Sequence, residues 1–119
     1  MSSILVIDDD PAAVKLLQLV LGRAGHAVQV ARDVSSGKSA ALSGGYDLMI
    51  LDVFLPDGSG LDLLRFLRGE LGSTLPVLVL SGYRQSDFMD RAEAAGATGY
   101  VTKPFSIPDL LAELGRLTG

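Results

Sequence analysis

Five short runs of apolar residues, separated by longer stretches of helical period, constrain the fold of this chain most strongly. The runs are rich in Val, Ile and Leu and cover residues 3–7, 26–31, 47–51, 75–81 and 98–102. The first of them, SILVI, does not alternate between apolar and polar residues, which is typical of a strand buried on both faces. Strands that alternate with helices predict parallel strands, right-handed crossovers and helices on both faces. We therefore expect an α/β fold with a doubly wound, five-stranded parallel sheet.

Capping residues support the intervening helices, which we predict over residues 10–25, 34–43, 60–68, 85–95 and 106–117. In the first helix Asp10 is the expected N-cap, Pro11 occupies the first turn and Gly25 ends the helix. Ser106 and Asp109 stand in capping-box positions at the last helix. Leucines at helical spacing on the third and last helices are interpreted as core stripes: Leu61, Leu64, Leu67, Leu110, Leu111, Leu114 and Leu117.

Length and charge exclude several classes of protein. The 119 residues suit one domain, which we expect to span residues 1–119. Lys and Arg number 10 against 14 Asp and Glu, and no basic run exists, so direct nucleic-acid binding by this domain is not expected. The absence of Cys excludes disulfides and thiolate metal sites. No signal peptide or apolar run long enough for a membrane helix is recognisable, so we expect a cytoplasmic protein without a membrane partner.

Polar side chains follow or end the predicted strands. Asp8 and Asp9 follow the first strand, and Asp52 follows the third. Ser81 ends the fourth strand, and Lys103 follows the fifth. Because the carboxyl ends of parallel strands meet at one edge of a sheet, where such folds bind ligands, these side chains are expected to converge. An unpaired buried carboxylate is costly, so Asp52 needs either an open strand end or a cationic partner.

This combination of groups suits phosphoryl transfer. Carboxylates massed together raise one another's pKa, and a hard divalent ion such as Mg²⁺ (or Mn²⁺) removes that conflict. Asp52 could attack phosphorus as a nucleophile, as carboxylates do in aspartyl-phosphate chemistry. The metal ion and Lys103 would stabilise charge on the phosphoryl oxygens, and Ser81 would donate a hydrogen bond to them.

The pattern ILVIDDDP … DLMILDVFLPDGSG … PVLVLSG … AGATGYVTKPF closely resembles the receiver domain of two-component response regulators, over essentially the whole chain. The resemblance implies a flavodoxin-like (β/α)5 fold with strand order 2-1-3-4-5. It also implies that Asp52 is the phosphoacceptor, receiving phosphate from a sensor histidine kinase, a phosphotransfer protein or a small acyl phosphate. Such a protein is a signalling phosphoacceptor that assists its own phosphorylation and dephosphorylation, not an enzyme with a separate substrate.

The same resemblance implies a metal site. Asp9 would bind Mg²⁺ directly, Asp8 through water, and the backbone carbonyl of Phe54 would be a further ligand beside Asp52. Three departures from the family pattern occur at the site, and the first is Asp10, which stands where the family often has Glu. Ser81 replaces the commoner Thr, and the rings of Phe54 and Tyr83 flank the site. We hypothesise that these rings screen attacking water and prolong the phosphorylated state.

For switching, the resemblance implies that Ser81 and Lys103 contact the phosphoryl group and that the Lys103–Pro104 bond is cis. Ser81 would move to bind phosphate, and Tyr100 would swing inward into the vacated space. The surface of helix 4, strand 5 and helix 5 would then change shape towards a downstream effector domain or protein, with a homodimer through the same surface as another possibility.

Three other functions remain as alternatives. A phosphatase that forms an aspartyl phosphate usually has a second Asp two positions after its nucleophile, but Phe54 stands there. A corrinoid module would place a ligating His at that position, and a flavin module would need a Ser/Thr-Gly-rich phosphate loop after the first strand. The third alternative is a phosphorylation-independent receiver-like binding module, against which the intact acids, Ser81 and Lys103 argue.

Overall fold

The five strands of the main sheet alternate with five helices in the computed structural model, which describes residues 2–82 and 86–118. The strands are β1 (Ser3–Ile7), β2 (Ala27–Ala31), β3 (Leu48–Asp52), β4 (Val77–Ser81) and β5 (Gly99–Thr102). The helices are α1 (Pro11–Arg23), α2 (Val34–Ser43), α3 (Gly60–Gly69), α4 (Ser86–Ala95) and α5 (Ile107–Thr118). Tyr83, one of the two rings predicted to flank the site, lies outside the described residues.

The five strands form one parallel sheet in the order β2-β1-β3-β4-β5. This confirms the predicted doubly wound, flavodoxin-like fold and its strand order. β3 and β4 are buried along their whole length, as expected for strands whose apolar residues do not alternate. Among the described residues, no helix is both long and apolar enough to cross a membrane.

Helices cover both faces of the sheet and bury two apolar clusters. On one face Leu5 and Leu51 of the sheet belong to a cluster with Leu64 of α3. On the other face Ile4 packs in a cluster with Leu17 of α1, to which Leu110 and Leu114 of α5 also belong. The helices therefore fix the sheet from both sides and leave its carboxyl edge open for a site.

One leucine departs from the predicted core stripes. Leu61, Leu64, Leu67, Leu110 and Leu114 are buried, and Leu117 packs partly buried against the core. Leu111 is instead 42% exposed, so its prediction as a core residue was wrong. Each residue advances about 100° around a helix, which turns Leu111 away from the sheet that its neighbour Leu110 contacts.

The structure contains the helix caps and the cis peptide bond that the sequence predicts. The carboxylate of Asp10 accepts a hydrogen bond from Ala12 N at 3.1 Å, and the hydroxyl of Ser106 accepts one from Asp109 N at 3.1 Å. The Lys103–Pro104 bond is cis. Asp52 is the last residue of β3 rather than the first beyond it, which keeps its backbone within the sheet and its side chain at the edge.

A short antiparallel hairpin follows β3 and holds the start of α2. It pairs Phe54–Leu55 with Gly58–Ser59, and Gly58 adopts a φ of 157°, which glycine tolerates readily. At its turn, the carboxylate of Asp57 accepts hydrogen bonds from Val34 N at 2.7 Å and Ser35 N at 3.0 Å. The loop that leaves Asp52 is thus tied to a neighbouring helix.

Replacing Asp57 with Ala should loosen α2, because it leaves two N–H groups at the helix start without their acceptor. We expect the free energy of unfolding to fall by about 1 kcal/mol, the usual effect of a lost N-cap. Hydrogen exchange should accelerate in α2 more than in α1. Asp62→Ala is the matched control, since it removes an exposed ion pair with Arg65 on α3. Equal exchange in both variants would contradict the tether.

Candidate functional site

The predicted polar residues converge at the carboxyl edge of the sheet. Asp8 follows β1, where its N–H donates to Ala31 O at 3.0 Å, and Asp52 ends the adjacent β3. Ser81 ends β4, and its carbonyl accepts a hydrogen bond of 2.7 Å from Lys103 N just beyond β5. The carboxyl ends of β1, β3, β4 and β5, which are distant in sequence, therefore place these side chains at one edge of the sheet, as parallel topology requires.

Lys103 joins two buried carboxylates. Its Nζ lies 2.8 Å from Asp8 Oδ2 and 3.3 Å from Asp52 Oδ2. Asp8 is 1% exposed and Asp52 is 8% exposed, so both charges lie largely out of water. Lys103 is therefore the cationic partner that we expected for Asp52, and Asp8 shares it.

Burial governs the ionisation of the centre. Burial raises the pKa of Asp52 to about 6, the nearby charge of Lys103 opposes this rise, and the charge of Asp8 adds to it. Burial by itself lowers the pKa of Lys103, but the polar contact with Asp8 and the charges of both acids outweigh it, and the net pKa is raised. Asp52 is therefore ionised at neutral pH at a cost in free energy, while Lys103 stays protonated.

A divalent cation fits the carboxylates. One carboxylate oxygen from each of Asp8, Asp9 and Asp52 lies within 4.8 Å of the others. Asp8 Oδ2 is buried and has the Lys103 ammonium at 2.8 Å, and the other oxygen of Asp8 accepts a hydrogen bond from Asp10 N at 3.0 Å. Asp9 is exposed, so the cluster has an open side. Three carboxylate oxygens that converge with one side open suit a hard ion such as Mg²⁺.

Ser81 and Tyr100 are already in contact. Ser81 is fully buried, and its hydroxyl forms a hydrogen bond with that of Tyr100, which is partly buried. Burial raises the pKa of Tyr100, the bond to Ser81 opposes the rise, and the charge of Asp52 adds to it. Tyr100 is therefore linked to the candidate site through Ser81. The sequence did not predict this contact, because side-chain orientation at a strand edge leaves no trace in residue order.

Phe54 lies beside the nucleophile in the hairpin, with its side chain more exposed than expected of a screening ring. It is 53% exposed, whereas Val53 and Leu55 on either side are buried. The role of its backbone carbonyl as a metal ligand stays a prediction.

Gly60 is a positioning residue that sequence reasoning missed. It opens α3 directly behind the nucleophile, and its N–H donates to Val53 O at 2.6 Å. A Cβ at this position would overlap the carbonyl oxygen of Asp52. Only the glycine lets the helix approach the strand end so closely, a requirement that the motif DGSG could have suggested.

Gly60→Ala should displace the end of β3, since the backbone of Asp52 has to move. We expect a loss of about 1–3 kcal/mol in the free energy of unfolding, as for other overpacked sites. Gly69→Ala in the same helix is the control, because nothing lies within 4 Å of its added Cβ. That variant should be neutral or up to about 1 kcal/mol more stable. Similar effects of both substitutions in thermal unfolding would contradict the close approach.

Comparisons with known proteins agree with this geometry. The family model of the response regulator receiver domain matches residues 4–115. The chain is 43% identical over 114 residues to the transcriptional regulatory protein KdpE of Mycobacterium tuberculosis, covering 96% of this chain and 50% of that protein. It is 40% identical over 113 residues to the uncharacterized transcriptional regulatory protein YkoG of Bacillus subtilis, covering 93% and 48%. The chain thus spans about half the length of the curated relatives it matches.

Solved structures of response regulators share the fold of this chain. The receiver domain of Francisella response regulator 1452 superposes with a TM-score of 0.93 at 27% identity, covering 99% of this chain and 97% of that one. The chemotaxis response regulator CheY4 of Vibrio cholerae superposes with a TM-score of 0.91 at 28% identity, covering 98% of both chains. The similarity extends over the sheet and its helices.

Proposed function

Because this chain belongs to the family of response regulator receiver domains of two-component systems, we propose that Asp52 accepts a phosphoryl group in a reaction that requires Mg²⁺. The single observation that carries the proposal is the convergence of three carboxylates within 4.8 Å, with the Lys103 ammonium 3.3 Å from Asp52. The domain acts as a signalling phosphoacceptor, and we take residues 1–119 as one such domain.

Each residue of the site has a role in this proposal. Asp8 and Asp9 would hold the ion together with Asp52 and the carbonyl of Phe54. The bound ion supplies positive charge that neutralises the phosphoryl oxygens. Lys103 directs its charge to the same place and keeps the buried acids paired before the ion arrives. An oxygen of Asp52 attacks phosphorus, the P–O bond or P–N bond of the donor breaks, and the electron pair leaves with the donor.

Phosphorylation then acts on the edge of the sheet. The new group adds negative charge and acceptor oxygens beside Ser81. We propose that Ser81 exchanges its bond with Tyr100 for one with phosphate and that Tyr100 then swings inward into the vacated space, which alters the surface formed by α4, β5 and α5. The phosphate donor is a sensor histidine kinase or a phosphotransfer protein. The receiver of the signal is an effector domain or protein, or a second copy of the chain.

The proposal is tested by treating the purified chain with an acyl phosphate and measuring its intact mass. With Mg²⁺ present, we expect a gain of one phosphoryl group per chain. With the metal chelated, the gain should be lost, and adding excess Mg²⁺ should restore it. The same labelling with and without metal would contradict a metal-dependent site, and no labelling at all would favour a binding module that works without phosphate.

A further inference from the structure

A groove runs along the surface between α4 and α5, above β5. It consists of two depressions of about 290 and 550 Å³ that share Met89 and Tyr100. Apolar side chains line much of it, among them Met89, which is 40% exposed, and Ala112, which is exposed on α5. The groove is therefore an accessible apolar surface large enough for several side chains of a partner.

The charged side chains that line the described part of the groove are all acidic. Its charged lining residues among those described are Glu93 in the smaller depression and Asp109 and Glu113 in the larger one. Glu93 and Asp109 are exposed. Arg116 lies on the same helix, but its guanidinium is engaged by Glu113 at 2.8 Å and by the carbonyl of Thr98 at 3.1 Å. In the part of the chain that the structure describes, no ion pair engages the exposed carboxylates of Glu93 and Asp109.

The floor of the groove is connected to the candidate site. Tyr100 lines both depressions and forms a hydrogen bond with Ser81, the last residue of β4. A ligand in the groove therefore touches a side chain that is bonded to the residue expected to meet phosphate.

We propose that the groove binds a cationic, partly apolar segment of a different protein. This inference rests on the proposed function, which assigns output to the surface of α4, β5 and α5, and it specifies the partner. The aliphatic stem of a Lys or Arg side chain would lie on Met89 or Ala112, while its charged end would reach Asp109 or Glu93. Carboxylates at a rim favour such a partner by steering and by complementarity of charge.

A second copy of the chain fits the groove less well. Symmetric dimers bring the same surface patch of each subunit together. Glu93, Asp109 and Glu113 would then lie opposite the same three acids, and apposed like charges weaken association. The engagement of Arg116 within its own subunit removes a cation that could compensate them.

The test uses two synthetic amphipathic peptides that share a leucine face and differ only in carrying Lys or Glu on the polar face. Binding is followed by amide NMR shifts of the full chain, with and without acyl phosphate and Mg²⁺. We expect the Lys peptide to bind with shifts around Met89, Tyr100 and Ala112. We expect the Glu peptide to leave those signals in place.

A matched pair of variants separates the groove from the general acidity of the chain. The double variant Glu93→Gln/Asp109→Asn should weaken binding of the Lys peptide by about tenfold, since two exposed charge contacts together contribute on the order of 1.4 kcal/mol. The double variant Asp62→Asn/Glu70→Gln removes the same charge from exposed positions of α3 and its C-cap. It should bind like the wild type.

Three results would overturn the inference: no binding of the Lys peptide in either state, equal binding of both peptides, or equal loss in both double variants. Concentration-dependent dimerisation in sedimentation, with shifts at Met89 and Ala112, would assign the groove to a second copy instead. Failure of the proposed function is distinguishable, because it appears as absence of the phosphoryl mass while the peptide selectivity is unchanged.

Discussion

Asp52→Asn will gain no phosphoryl group under conditions that label the wild-type chain with an acyl phosphate and Mg²⁺. The substitution keeps the size of the side chain but replaces a carboxylate with an amide, whose nitrogen and oxygen are poor nucleophiles towards phosphorus. Intact mass spectrometry measures the effect directly. Because the reaction depends on one oxygen, the loss should be complete rather than partial.

The variant Asp62→Asn controls for that experiment. It makes the same chemical change at an exposed carboxylate of α3, outside the candidate site. Its labelling should equal that of the wild type. Retained label in Asp52→Asn would show that another acid is the nucleophile, and Asp8 and Asp9 are the nearest candidates because their oxygens lie within the same 4.8 Å cluster.

The same Asp52→Asn variant should be more stable than the wild type near neutral pH when metal is removed. The folded-state pKa of Asp52 is about 6, against an ordinary value of 3.8, so folding favours the protonated acid. Its contribution to stability is complete below pH 3.8 and is lost as pH rises through 6. Asparagine does not ionise and avoids this loss, which amounts to about 3 kcal/mol at most.

The measurement is urea unfolding between pH 4 and pH 7.5 in chelator. The difference in free energy of unfolding, variant minus wild type, should increase with pH between the two pKa values of Asp52, most steeply at roughly pH 5, and level off above pH 6. Added Mg²⁺ should stabilise the wild type more than the variant and so reduce the difference. A difference that does not change with pH would contradict a buried, destabilised carboxylate.

In the same assay Lys103→Met should have the opposite effect and lower the free energy of unfolding. It leaves Asp8 and Asp52 without the ammonium that lies 2.8 and 3.3 Å from them. Removing one partner of a buried pair costs about 3–5 kcal/mol. Combining it with Asp52→Asn should recover part of the loss, since one of the unpaired charges is gone. Equal stability of Lys103→Met and the wild type would argue against the ion pairs.

The architecture could be predicted from the sequence because the strand pattern, the parallel topology and the positions of the polar residues are mutually consistent. Non-alternating apolar runs predict buried parallel strands, and parallel strands place Asp8, Asp52, Ser81 and Lys103 at one edge. That convergence needs no knowledge of side-chain detail, so it could be predicted. The boundaries of strands and helices shifted by one or two residues, as at Asp52, because hydrogen-bond pairing with neighbours sets strand ends.

Contacts that depend on tertiary distance could not be predicted. Asp57 binds the start of α2, 22 and 23 residues away, and a turn residue carries no sign of that partner. Gly60 is needed because α3 starts against the carbonyl of Asp52, a distance fixed by the packing of the helix on the sheet. Leu111 follows the leucine pattern yet lies outside the core, because α5 covers the sheet with a narrower face than the pattern suggests.

The most direct test of the whole account is to locate the phosphoryl group. Borohydride reduces an aspartyl phosphate to homoserine, so reduction of the labelled chain followed by peptide mass spectrometry identifies the residue that carried it. We predict homoserine at position 52 alone, formed only when Mg²⁺ was present during labelling. Homoserine at position 8 or 9, or a modification that forms equally without Mg²⁺, would contradict the central claim.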